Sequence, residues 1–67
     1  MKESQEWLLN RIMESKDLSK QGAIALFDSA MITVNKIVDD LGFNEAYDAF
    51  NALVCEIDWD DFINLIF

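Results

Sequence analysis

The sequence predicts an all-α fold: a small compact bundle of three longer helices and one short C-terminal helix, forming a single helical domain over residues 1–67. Apolar residues recur at the three- and four-residue spacing of amphipathic helices. The chain has no proline, and its only glycines are Gly22 and Gly42. With 67 residues, it is near the lower size at which one domain folds alone.

The first helix is predicted to run from about Lys2 or Ser4 to Lys16. Its apolar residues fall on one face at about 100° per residue: Leu8, Leu9, Ile12 and Met13. Trp7 points away from that face, on the same side as Arg11, so we expect it to be accessible.

The second helix is the longest, from about Lys20 to Leu41, and either Asp17 or Ser19 can serve as its N-cap. It carries a wide apolar stripe: Ala23, Phe27, Ala30, Met31, Val34, Ile37, Val38 and Leu41. Gly42 follows at the position where a left-handed glycine commonly ends a helix.

The third helix is predicted from about Glu45 to Glu56, with Asn44 as its N-cap. One side of it is apolar: Ala46, Phe50, Leu53 and Ile57. Cys55 falls on the opposite, polar side, among Asp48 and Asn51.

The fourth helix begins in EIDWDDF, residues 56–62. With Asp58 as N-cap, Asp60 and Asp61 lie in the first turn, where negative charge favours the positive end of the helix dipole. Three of the four acids in this stretch therefore have a structural role. Glu56 has none, because it lies at the C-terminal end of the third helix.

The last residues, FINLIF, are apolar nearly all round, which is typical of a helix buried on more than one side. Phe62 also pairs with Ile57 as a hydrophobic staple. This segment either fills the centre of the bundle or packs against a second chain. We expect a homo-oligomer whose interface contains Phe62, Ile63, Ile66 and Phe67.

The net charge of −8 is unevenly distributed. Residues 1–33 contain five acids and four bases, whereas residues 34–67 contain eight acids and one base, Lys36. This distribution repels nucleic acid and anionic lipid and attracts basic surfaces. It can also serve only to keep an apolar small protein in solution.

Several classes of function have little support in the composition. The chain has no histidine and one cysteine, so no metal site, cofactor or catalytic group is predicted. DWDDFIN has the alternating acids of a calcium loop but lacks the glycine and the glutamate of that loop. No apolar run reaches the ~18 residues of a membrane span. We therefore expect a cytoplasmic, non-enzymatic protein.

Two stretches resemble known families. TVNKIVDDLGFNEAYDAFNALV resembles a helix-turn-helix, which would imply DNA binding; the second helix, however, carries Glu45, Asp48 and Glu56 and no base, whereas phosphate contacts need Lys and Arg. FDSAM resembles the motif of acyl and peptidyl carrier proteins, which implies phosphopantetheine on Ser29. It departs from that family at Ala30, where leucine is usual, and in the helical pattern that precedes it.

The favoured function is binding to a protein. Five acids have no capping role and are candidate partner-binding residues: Asp39, Asp40, Glu45, Asp48 and Glu56. Trp7 and Trp59 are candidate hot-spot anchors. In charge and size the chain resembles nucleic-acid mimics that occupy the basic groove of a nucleic-acid-handling enzyme, such as phage anti-CRISPR proteins. The alternatives are the carrier function on Ser29 and a small homo-oligomeric adaptor subunit.

Overall fold

Four helices make up the fold in the computed structural model, which describes residues 5–67 and contains no strand in that range. They are α1 (Glu6–Lys16), α2 (Lys20–Leu41), α3 (Phe43–Leu53) and α4 (Trp59–Ile66). The all-α prediction is confirmed, and α2 has the predicted bounds. The predicted start of the first helix at Lys2 or Ser4 lies outside the described residues.

The junction between α1 and α2 resolves the choice between two N-caps. Ser19 is the cap: its Oγ accepts a hydrogen bond from the Gly22 N–H at 3.2 Å. Asp17 instead ends α1 in the left-handed conformation, with φ 54° and ψ 52°, and its N–H donates to the Met13 carbonyl. Ser19 thus caps the start of α2 with its side chain, whereas Asp17 closes the end of α1 with its backbone N–H.

Gly42 alone separates α2 from α3. Its N–H donates to the carbonyls of Ile37 and Val38, both at 3.1 Å. Its φ is positive as predicted, but φ 97° with ψ 176° is an extended conformation open essentially to glycine only, not the left-handed helical one. The sharper turn starts α3 at Phe43, so the prediction of Asn44 as N-cap is wrong.

The end of α3 also differs from the prediction. The helix stops at Leu53 because Val54 leaves helical geometry, with φ −116° and ψ −81°. Residues 54–58 form a connector in which Cys55 and Ile57 are buried and Glu56 between them is exposed, as in extended chain, where side chains alternate. Cys55 is therefore only 6% exposed, and its prediction on a polar helix face is wrong.

Aromatic contacts dock α4 on α3. The start of α4 meets the middle of α3, where the ring centroids of Trp59 and Tyr47 are 5.2 Å apart. Farther along, Phe62 lies 6.0 Å from Phe50. At the far end, Phe67 reaches back to the first residue of α3, Phe43, with centroids 5.5 Å apart.

The core lies along α2, which contacts both α1 and α3. At 1.5 Å per residue this helix spans about 33 Å, so it alone accounts for the 32 Å long dimension of the molecule. Most of its predicted apolar stripe is buried or half-buried, but Leu41 is 68% exposed because the chain turns away at Gly42. The fully buried large side chains come from all parts of the fold: Leu8, Leu9, Ile12, Val34, Phe50, Val54 and Phe62.

The two N-caps predict different costs on substitution. Asp58 occupies the N-cap position of α4, but its side chain makes no capping hydrogen bond, whereas that of Ser19 does. We expect Ser19→Ala to cost about 0.5–2 kcal/mol of unfolding free energy and Asp58→Ala to cost less. Urea denaturation of both variants measures this; a larger loss for Asp58→Ala than for Ser19→Ala contradicts it.

Candidate functional site

Acids from two helices flank the turn at Gly42. Asp39 and Asp40 lie in the last turn of α2, and Glu45 lies in the first turn of α3. Asp48 follows Glu45 at a three-residue spacing, which keeps both side chains on one helix face. All four acids are exposed. We call this group of four the acidic corner.

No cation neutralises the acidic corner within residues 5–67. The ion pair present in this range joins Lys20 Nζ to Glu6 Oε2 at 3.8 Å, at the other end of α2. Lys36 has the right spacing to reach Asp39 or Asp40 along α2, yet it pairs with neither in the described part of the chain. The negative charge of the corner therefore faces solvent.

The helix dipoles act on these acids in opposite directions. Asp39 and Asp40 stand at the negative, C-terminal end of α2, where an acid destabilises a helix by roughly 0.3–1 kcal/mol. Glu45 stands at the positive end of α3, because that helix starts at Phe43. The charge of Glu45 thus stabilises α3, contrary to the prediction that it has no structural role, whereas the charges of Asp39 and Asp40 oppose stability.

Glu56 does not join the acidic corner. It lies in the connector beyond the far end of α3, a helix of 11 residues and therefore about 16 Å long. Its backbone carbonyl accepts a hydrogen bond from Arg11 Nη1 at 3.2 Å. The five acids predicted to bind a partner consequently lie on two surfaces. The surface that contains Glu56 also contains the cation Arg11.

Side chains of α3 hold the connector in place. The Tyr47 hydroxyl donates to the Ile57 carbonyl at 2.6 Å, and the Ile57 N–H donates to Asn51 Oδ1 at 3.1 Å. The connector and α3 enclose an open cleft of about 450 Å³, lined by Arg11, Tyr47, Asn51, Glu56, Ile57 and Asp58. This cleft was not predicted from the sequence. The available signal was the four-residue spacing of Tyr47 and Asn51, which puts two hydrogen-bonding side chains on one helix face.

Both tryptophans predicted as anchors lie beside this cleft. Trp7 is 39% exposed, and the Arg11 guanidinium carbon sits 5.6 Å from the centroid of its ring. Trp59 is 40% exposed and packs edge-on against Tyr47. Arg11 and Tyr47 both line the cleft. Trp7 and Trp59, which are far apart in sequence, therefore each contact a residue of the same cleft.

The residues predicted to form an oligomer interface differ in accessibility. Phe62 is fully buried in the chain's own core, so it presents no surface to a second chain, and its assignment to an interface is corrected. Ile63 and Ile66 are partly buried and pack against the same core. Phe67 is 82% exposed. Most of α4 thus fills the bundle, the first of the two arrangements expected for this segment.

Self-association through α4 stays a prediction. If it occurs, the double substitution Ile63→Glu and Ile66→Glu should shift the protein from oligomer to monomer, or unfold it through the contacts that these residues make with the core. Sedimentation of the unmodified chain at high micromolar concentration measures the assembly directly. A monomer at that concentration would end the prediction.

Cys55 is enclosed rather than reactive. Burial raises the pKa of its thiol, an effect that the charges of Arg11 and Lys16 partly oppose. A thiol with a raised pKa stays protonated at neutral pH and is a poor nucleophile. Its role in this fold is to fill space in the core.

Three further features concern a carrier serine, a metal site and a membrane-spanning helix. Ser29 is exposed in the middle of α2, not at the helix start that the carrier family uses. Within residues 5–67, no three His, Cys, Asp or Glu side chains are grouped so as to hold a metal ion. Over the same range, no helix combines the length and apolar character needed to cross a membrane.

Comparisons of the chain with protein-family models, with curated proteins and with solved structures find no match.

Proposed function

We propose that this chain acts by binding a protein, and that the acidic corner docks on the basic surface of a nucleic-acid-handling partner. The proposal rests on the exposure, the charge and the helix position of Asp39 and Asp40. Both are exposed, neither is in an ion pair within residues 5–67, and both lie at the helix end that disfavours their charge. A domain of this size has little stability to spare, which favours a binding role for charges that reduce it.

A groove that binds nucleic acid is lined with Lys and Arg, which neutralise phosphates and release their counterions. A rigid group of carboxylates satisfies the same cations. Because such charges also steer the two proteins together, the acidic corner would compete with nucleic acid for the groove. The chain would then act as an inhibitor or regulator of the nucleic-acid-mimic type, the type to which phage anti-defence proteins such as anti-CRISPR proteins belong.

The cleft side supplies a second contact region. Interface hot spots are enriched in Trp, Tyr and Arg. Trp59 is held by Tyr47, and Trp7 is covered on one side by Arg11. Both rings are partly exposed, and these contacts limit their motion, so we assign them the short-range contacts that follow electrostatic encounter.

Competition with nucleic acid tests the proposal. The chain is immobilised, loaded with host lysate, and eluted either with duplex DNA or RNA or with a neutral polymer at equal mass concentration. We expect nucleic acid alone to release the captured partner, and we expect capture to weaken steeply with salt, because exposed charges are screened over about 8–10 Å at physiological ionic strength. A partner that nucleic acid and salt both fail to release contradicts the proposal.

A further inference from the structure

Exposed apolar side chains lie beside the acidic corner. Leu41 and Phe43, on either side of Gly42, are 68% and 36% exposed. Phe67, 82% exposed, lies against Phe43 with an interplanar angle of 35°. We call Leu41, Phe43 and Phe67 the apolar anchor. Leu41 and Phe43 lie in the chain between Asp40 and Glu45, and Phe67 joins them through its contact with Phe43, so apolar contact and negative charge are offered side by side.

The position of the anchor follows from the packing of α4. The buried Phe62 holds α4 against Phe50 of α3, and Phe67, which follows α4, contacts Phe43 at the start of α3. Leu41 belongs by sequence to the apolar stripe of α2, but the chain turns at Gly42 before α3 can cover it. The fold thus leaves these three side chains uncovered within residues 5–67.

The negative charge around the apolar anchor favours a positively charged binding partner. A second copy of the chain also has a net charge of −8, so pairing two corners would bring like charges together, which costs several kcal/mol in general. A segment with apolar side chains flanked by Lys or Arg suits both parts of the surface. It buries the anchor and places its cations near Asp39, Asp40 and Glu45.

We infer that the corner binds a basic amphipathic segment of a protein, with an apolar side chain of that segment packed on Leu41, Phe43 and Phe67. This rests on the proposed function and specifies the chemistry of the partner. Binding then has two separable parts. The contribution of the carboxylates weakens with salt, whereas the contribution of apolar contact does not depend on charge screening.

Two synthetic peptides of equal length and equal positive charge test the inference. One carries Leu and Phe on one helical face between its lysines, and the other carries Ser at those positions. Calorimetric titration should show the first binding at least about tenfold more tightly, a difference of about 1.4 kcal/mol. The preference for it should persist when salt weakens both peptides.

Variants locate the effect. The double variant Leu41→Gln, Phe43→Gln should lose most of the preference while keeping salt-dependent binding of the Ser peptide. Leu41→Gln alone should lose part of it, and this side chain is exposed enough to be changed without loss of fold. The matched control is Ile32→Gln, because Ile32 is an equally uncovered apolar residue of α2, 65% exposed, away from the corner. It should retain the full preference.

The outcomes separate this inference from the proposed function. Equal binding of the two peptides overturns the apolar anchor and leaves the acidic docking surface intact. Binding of neither peptide overturns both. A dimer of the unmodified chain that Leu41→Gln dissociates shows that a second copy occupies the anchor, and this overturns the inference in favour of self-association.

Discussion

Phe62→Ala is expected to destabilise the domain by about 3–5 kcal/mol, the usual cost of removing a buried phenylalanine. Phe62 is fully buried, and its ring lies 5.4 Å from Tyr47 and 5.9 Å from Trp59, between centroids. At typical values per residue, a domain of 67 residues has a total stability of roughly 3–10 kcal/mol. The variant should therefore be largely unfolded or melt far below the unmodified chain.

Phe67→Ala is the matched control for this experiment, because it removes the same group from the residue that follows the same helix, at a site that is 82% exposed. We expect it to change the unfolding free energy by less than about 1 kcal/mol, as surface substitutions usually do. Urea titration followed by circular dichroism compares the two variants. Equal losses would mean that α4 does not dock through Phe62, and the position of the apolar anchor would then be wrong as well.

Neutralising the acidic corner is expected to separate binding from stability. The pair Asp39→Asn, Asp40→Asn should leave the melting temperature unchanged or raise it, since it removes an unfavourable interaction of roughly 0.3–1 kcal/mol per residue with the dipole of α2. The same pair should weaken capture of the partner at low salt by at least about tenfold, or 1.4 kcal/mol. Adding Asp48→Asn and Glu45→Gln, which neutralises the other two acids of the corner, should abolish capture.

The control pair is Asp60→Asn, Asp61→Asn, which changes the net charge equally but in the first turn of α4. There the dipole favours acids, so this pair should lower the melting temperature and leave capture intact. Thermal denaturation and affinity are measured on both pairs. If Asp39→Asn, Asp40→Asn melts higher and still binds as tightly as the unmodified chain, the acidity serves only solubility and the proposed function is wrong.

The candidate site was predictable in part. Charge and helix phase predict Asp39, Asp40 and Asp48 as exposed acids, and all three are exposed in the structure. Glu56 was assigned to the same group because the third helix was extended past its real end at Leu53. Once Val54 leaves helical geometry, a helical phase no longer describes the residues after it. The early end of α3 explains why Glu56 lines the cleft and why Cys55 is buried in the core.

The sequence by itself determined what depends on neighbours along the chain. The four helices, the bounds of α2, the exposed position of Trp7 and the first-turn acids of α4 follow from a periodicity of 3.6 residues and from capping chemistry, which act over a few residues. Tertiary structure decided where α3 ends, which N-cap makes a hydrogen bond and how the cleft and the apolar anchor are built. These features depend on contacts between distant residues, such as Arg11 with Glu56 and Phe43 with Phe67. Such contacts form only when whole helices pack, because burying apolar area fixes the position of each helix and leaves the polar groups to find partners there.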